Sequence, residues 1–492
     1  MTQAQCDEET PLLQIEQGKS PRSPLPWFQF SLVLFLQLAE PLTSQVIYPF
    51  APQLIRDIGV TNGDEAKVGY YVGMMQSVFF VAQAFTVLHW SSLSDRIGRK
   101  PVILTGLFGI SLSMYCFGLS STFVGLLHSY SRFLSRGLCG ALNGNIGVIK
   151  SMMVEMTDST NISLAYAYFP IAWSTGATLG PMIGGSFSHP VERFPELFGA
   201  SEFLKSHPYF LPCAVPATFA VVAWLVTLFL LKETVAAPTP ISHLLPFRKR
   251  SQAAIDAKKS VLISGDNSET EPEPDKPTFA SLLTRRVVVA SANYACLSLV
   301  DIAFRAIQPL FYSTPVEMGG LGLPPQIIGN ILSVFGILNG VIQVFFFAYI
   351  NDRWGSKRVF LVGLASAIPL FLSFPLLNVL ARSQGTSLLV WAVVGMQITI
   401  SVFMSMSYGA IFIYISASAP SRSMLGATNG LAQTTVSIMR AIGPATANSL
   451  FSLSIEKQYL GGWMVYYSLL CVVGTSIFVG SLLPRQIWTM PS

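Results

Sequence analysis

What most constrains this chain is a succession of apolar runs, each about twenty residues long and nearly free of charge. A helix of ~20 apolar residues spans a hydrocarbon layer ~30 Å thick. Inside that layer every backbone polar group must be satisfied within the protein, which a helix does by itself. Twelve runs fit, at 28–50, 68–90, 101–119, 124–152, 164–186, 209–231, 286–312, 326–350, 358–380, 386–416, 424–452 and 464–484. Composition agrees: only 11% of residues are charged, against ~25% in a soluble domain. The expected fold is an all-α integral membrane protein with twelve transmembrane helices in two six-helix bundles, lying as a monomer in a lipid bilayer.

An even number of crossings puts both ends of the chain on one side, and the lysines and arginines choose it. With the ends in the cytoplasm, twenty cations fall inside, Lys150 among them. Six fall outside: Arg56, Lys67, Arg193, Lys205, Arg382 and Lys457. The expected organisation is a cytoplasmic tail (1–27), a first bundle (28–231), a cytoplasmic linker (232–284), a second bundle (285–484) and a short cytoplasmic tail (485–492). The linker contains "SGDNSETEPEPDKP", too polar and proline-rich to bury a core. The first 25 residues are acidic and proline-rich, unlike a cleavable signal peptide.

The two halves share a stretch. "SDRIGRKPVILTG" (94–106) aligns with "NDRWGSKRVFLVG" (351–363), matching Asp95 to Asp352, Arg96 to Arg353, Gly98 to Gly355 and Lys100 to Lys357. Both follow the second apolar run of their half, as a parallel repeat requires. The first copy resembles the loop motif G-x-L-x-D-R-x-G-R-K of the major facilitator superfamily, with Leu93, Asp95, Arg96, Gly98, Arg99 and Lys100 in place and Ser91 where the motif has glycine. The resemblance covers about 27–485. It implies that this loop is a charge-relay latch of the outward-facing state. "RGLCG" (136–140) resembles the helix 4 motif R-x-x-x-G, whose arginine, here Arg136, is linked in the family to proton coupling. "GATLGPMIGG" (176–185) matches G-x-x-x-G-P-x-x-G-G throughout, at Gly176, Gly180, Pro181, Gly184 and Gly185. This motif is characteristic of the superfamily's antiporters, and "RAIGPATANS" (440–449) echoes it. The chain is thus similar to the twelve-helix drug:proton antiporters, and within them to fungal relatives of zinc-induced-facilitator-like transporters. It lacks the C-P-G-C-type motif of the plant members, and no metal is expected.

Ionisable groups inside the runs are costly, so each is a functional candidate. Glu40 sits in "LQLAEPLTSQVIYPF" (36–50). A low dielectric disfavours its charged form, which suits a proton carrier; a structural hydrogen bond to a neighbouring helix is the alternative. Asp301 and Arg305 are four apart and share a helix face. They either neutralise one another or form a pair that protonation opens. Arg136 and Arg440 could attract anions or pair with Glu40 or Asp301. Gln45, Tyr48, Trp173, Asn339, Gln343 and Tyr408 are candidates to line a central pocket.

Other readings find less support. The six cysteines contain no C-x-x-C and read as buried small hydrophobes. There is no G-x-x-x-x-G-K-[ST], H-E-x-x-H or G-x-S-x-G, and no basic, aromatic-interleaved tract of a nucleic-acid binder. An enzyme, a cofactor and nucleic acid are not expected. The expected function is proton-coupled antiport exporting a small organic molecule (a drug or secondary metabolite, with an amine or alkaloid suiting the carboxylates) by alternating access. The alternatives are a nutrient symporter or facilitator, and a non-transporting receptor on the same fold. "CDEETPLL" (6–13), with Glu8, Leu12 and Leu13, has the pattern of an acidic dileucine sorting signal, so the destination is the plasma membrane or a vacuolar or endosomal membrane. The sequon at Asn161 falls on the cytoplasmic side. Expressed in a glycosylating host, the protein is expected to show no mobility shift on endoglycosidase treatment; a glycan on Asn161 would reverse the orientation.

Overall fold

The computed structural model describes residues 23–120, 126–143, 145–158, 161–235, 283–420 and 425–488. The dileucine signal and most of the central linker lie outside the described residues. Those that are described form helices joined by turns, with no strand among them. Seven helices are long and apolar enough to cross a membrane: Arg99–Leu119, Phe210–Leu230, Arg285–Ser313, Pro325–Phe345, Ser356–Gln384, Leu388–Ser418 and Met464–Ser481. A bent pair, Glu65–Val87 with His89–Ile97, makes an eighth if it is one span. The runs at 28–50 and 124–152 are broken instead. The first is Trp27–Gln37, Ala39–Gln45 and Ala51–Ile58, interrupted on either side of Glu40–Pro41 and by turns at 46–50. The second is Leu126–Leu142 followed by Asn145–Glu155. Two further long helices, Ile162–Phe187 and Leu425–Lys457, carry the glycine–proline runs.

The repeated stretch folds the same way twice. Gly98 (φ 102°, ψ 160°) and Gly355 (φ 80°, ψ 145°) each separate two helices by a single residue. Positive φ strains any residue with a Cβ, which explains glycine at both positions. After each glycine the matched lysine reaches the carbonyl end of the last helix of its own half. Lys100 Nζ donates to Leu228 O at 3.0 Å, and Lys357 Nζ donates to Ser481 O at 2.7 Å. A cation at unsatisfied helix C-terminal carbonyls is favourable twice over, by hydrogen bonding and by the helix dipole.

The halves meet along two helix pairs, and small residues let them approach. Ile162–Phe187 packs against Pro325–Phe345, where a Cβ added to Gly185 would lie 2.5 Å from Pro325 O. The helix starting at Val68 packs against Leu425–Lys457, where a Cβ on Gly73 would lie 2.7 Å from Pro444 O. The antiporter-type run and its echo thus occupy corresponding places. On its other side the first run holds the Ala39–Gln45 segment: a Cβ on Gly184 would come 1.9 Å from Val46 O, and one on Gly176 2.7 Å from Pro41. At the same end of the molecule, Arg56 of the first half donates to Ser313 Oγ (2.6 Å) and Ser313 O (2.9 Å) of the second, while Glu65 holds its guanidinium at 2.8 Å. Nearby, Asp57 accepts from the Tyr209 hydroxyl and lies 3.2 Å from His189 Nε2. The hydrogen bond to Asp57 holds His189 above the usual imidazole range against the effect of its partial burial.

The five described cysteines are free thiols. Cys139 and Cys213 are buried as expected. Cys116 and Cys471 correct that reading, because they face outward from their helices, where lipid serves as well as a core for a small apolar group.

Substituting Gly184→Val is expected to abolish the monodisperse peak in detergent size-exclusion chromatography, because backbone blocks the new side chain. Gly395→Val, with nothing within 4 Å of its Cβ position, is expected to leave the peak unchanged.

Candidate functional site

Between the halves lies a small cavity. Its polar lining is Gln45, Tyr48, Asp301, Arg305, Gln308 and Ser401; Phe304, Leu332, Phe335, Met404, Ala177 and Pro181 supply the apolar part. Tyr48 comes from the turn between Ala39–Gln45 and Ala51–Ile58, where the broken first run turns its backbone beside the glycine face of Ile162–Phe187. Asp301, Arg305 and Gln308 are spaced i, i+4, i+7 along Arg285–Ser313 and so share one face.

Arg305 Nε donates to both carboxylate oxygens of Asp301 at 2.9 Å, and the Tyr408 hydroxyl donates to Asp301 Oδ2 at 2.9 Å. The Arg305 guanidinium also lies over the Phe335 ring, 5.0 Å from its centroid. Asp301 is 6% exposed, and three donor contacts are what a carboxylate so deeply placed requires. Beyond it, Gln308 Nε2 donates to the Tyr312 hydroxyl (3.2 Å), Tyr312 to Gln397 Oε1 (2.5 Å) and Gln397 Nε2 to Ser373 Oγ (2.6 Å). This chain of amides and hydroxyls ties the cavity wall to two neighbouring helices.

Glu40 is not in that wall. It lines a second, smaller cavity with Gln37, Asn145 and apolar neighbours. The Asn143 side chain, Lys150 and Arg440 surround it. Arg440 stands within electrostatic range of both Glu40 and Asp301. Arg136 is 5% exposed, its guanidinium 4.8 Å from the Phe79 ring centroid and its Nε without a hydrogen-bond partner. Gly140 lies one turn further on, where an added Cβ would sit 2.0 Å from Phe79 O. The R-x-x-x-G spacing therefore brings a guanidinium onto the ring of a helix that the glycine lets close.

Of the pocket candidates, Gln45 and Tyr48 line the main cavity, and Tyr408 reaches it through Asp301. Trp173, Asn339 and Gln343 are not among its lining residues. The bonds of the first loop stay with its own half and the start of the linker that follows it. Arg99 pairs with Asp95 (2.5 Å) and Glu155 (2.7 Å), and the Arg99 and Lys100 backbone N–H groups donate to Glu233. Among the described residues no bond joins Asp95, Arg96, Asp352 or Arg353 to the opposite half. Lys150 is a correction: it does not sit with the cytoplasmic loop cations but in the Asn145–Glu155 helix, facing Glu40 and Arg440. Counting apolar residues to the end of the run placed it at the edge, whereas the helix continues to Glu155. Gln308 was also missed, although the i, i+4, i+7 period from Asp301 marks it. No group of three or more metal-binding side chains occurs among the described residues.

The family model "Major Facilitator Superfamily" matches residues 33–444. The chain therefore belongs to the Major Facilitator Superfamily; it is a multi-pass membrane transporter of small molecules and not an enzyme. It is 28% identical over 493 residues to "Major facilitator-type transporter psiT2" of Psilocybe cyanescens, covering 94% of this chain and 91% of that one. It is 28% identical to "Major facilitator superfamily multidrug transporter mfsB" of Aspergillus fumigatus, covering 93% and 84%. It is 29% identical to "Protein ZINC INDUCED FACILITATOR-LIKE 1" of Arabidopsis thaliana, covering 93% and 92%.

Removing one member of a buried ion pair strands the other, at a cost of about 3–5 kcal/mol, whereas removing both costs far less. Asp301→Asn is expected to lower the melting temperature in detergent more than the double variant Asp301→Asn/Arg305→Gln. Equal losses would show that the pair is not coupled.

Proposed function

We propose that this protein is a proton-coupled antiporter that exports a small organic molecule. Its helices make twelve crossings in two six-helix bundles, 28–231 and 285–484, related by the parallel repeat, with both termini and the 232–284 linker in the cytoplasm. It works as a monomer, in the plasma membrane or a vacuolar or endosomal membrane. The observation that carries the reading is Asp301: a buried carboxylate in the cavity wall, held by Arg305 and Tyr408 through contacts that a proton would undo. A neutral Asp301 no longer neutralises Arg305, so protonation changes the charge of the cavity between the halves. Glu40 is a second buried carboxylate, in a separate cavity of the first half, and the field of Arg440 reaches both.

Alternating access follows from where the halves touch. With this orientation, the Arg56–Ser313 contact and the close pairs at Gly73 and Gly185 close the non-cytoplasmic end, while among the described residues the loops around Gly98 and Gly355 make no latch bond to the opposite half. Both features support reading this as the inward-facing state, which accepts substrate from the cytoplasm. Rocking about the glycine-rich pairs opens the other end, with Asp95 and its neighbours latching the cytoplasmic side. Arg136 tunes the proton carriers, and the run from Gly176 to Gly185 serves as hinge. A relative named as a multidrug transporter supports export of organic molecules.

Inside-out vesicles with an acidic lumen, offered a mixed extract of fungal metabolites, test this by mass spectrometry. Accumulation is expected to collapse with a protonophore and to fall to background in Glu40→Gln and Asp301→Asn. Accumulation indifferent to the gradient and to both variants would make the protein a facilitator.

A further inference from the structure

The charges inside the membrane do not balance. Among the residues whose side chains are described, two carboxylates lie well within the helices, Glu40 and Asp301, against four cations, Arg136, Lys150, Arg305 and Arg440. Asp301 is matched by Arg305 at 2.9 Å. Arg136, Lys150 and Arg440 have no carboxylate within ion-pair distance among the described residues. Only Glu40 remains to oppose them. A guanidinium stays charged in any protein environment, so the sign holds even with Lys150 neutral and Glu40 ionised: at least one arginine charge is unmatched. Protonating Glu40 raises the excess.

Arg136, Lys150 and Arg440 are not among the residues lining the main cavity, but the field of the two arginines reaches its wall. Tyr48, which lines it, is within electrostatic range of Arg136, Arg305 and Arg440 together. Arg136 in addition keeps an unpartnered Nε at 5% exposure. An uncompensated buried cation is destabilising, and the group best shaped to relieve a guanidinium is a carboxylate or phosphate, which accepts two N–H bonds at once.

We infer that the transported molecule carries an acidic group, a carboxylate or phosphate, which this cation cluster receives. The inference rests on the cavity being the substrate site. It also narrows the coupling. A lone anion would bind together with a proton at Glu40, which is symport; a molecule bearing both an acid and an amine competes with protons for the carboxylates while its acid engages the arginines. Antiport therefore calls for an amphoteric substrate.

The test is binding to the full chain in lipid nanodiscs at one pH, without a gradient. Matched probes on phenyl, indolyl and naphthyl scaffolds carry an ethylamine alone, a propionate alone, or both groups as the amino acid. On at least one scaffold the acid is expected to tighten binding about tenfold or more over the amine alone. Arg440→Gln or Arg136→Gln is expected to bring that ratio to within about twofold, while Arg440→Lys retains most of it and shows that the site is intact. Amines binding as tightly as their acid-bearing counterparts, no binding by any acid-bearing probe, or a ratio that persists in both glutamine variants would overturn the inference. Because no gradient is present, loss of proton coupling in vesicles would overturn antiport and leave this result standing.

Discussion

Asp301, Arg305 and Tyr408 form the contact on which the centre of this molecule depends. A carboxylate in an apolar layer has no water to share its charge, so its partners must come from the protein. Arg305 supplies the opposite charge from the next turn, and Tyr408 supplies a hydroxyl from another helix. The pair lines the wall of the cavity between the halves without leaving a lone charge in it. Because both partners lie on one helix, a proton can change the cavity's charge without moving a helix.

Around that centre the structure is built by close approach. Lipid tails are as apolar as leucine, so helices in a membrane gain little from hiding hydrophobic surface and pack where small residues bring backbones together. Gly184 against Val46 and Gly185 against Pro325 are such places. The first fixes the broken segment that carries Glu40, Gln45 and Tyr48; the second joins the halves. One helix thus serves the site on one face and the interface on the other.

The charges then divide by depth. At the loops, Arg99 and Lys100 find Asp95, Glu155 and helix-end carbonyls of the first half and Glu233 at the start of the linker that follows it. In the interior, among the described residues, the cations outnumber the carboxylates and three have no ion-pair partner. Such an arrangement is costly for a resting fold and sensible for one that binds an acidic group.

Much of this was legible in the chain. Run length and missing charge identified a helical membrane protein, because the thickness of a bilayer and the hydration of charge leave a sequence little choice. The repeat around Gly98 and Gly355 and the glycine–proline run were equally plain, since each is a local backbone requirement written in adjacent residues. The i, i+4 spacing also brought Asp301 and Arg305 to one helix face. Only the tertiary structure decided what that face meets: Tyr408 joins the pair from 107 positions away, Glu40 lies in a separate cavity, and Lys150 turns inward to face it. Trp173, Asn339 and Gln343, polar or aromatic at plausible places, lie off the cavity. A helix's own period says which residues share a face. Which face meets the cavity, another helix or lipid is set by packing between distant segments, and no local pattern records it.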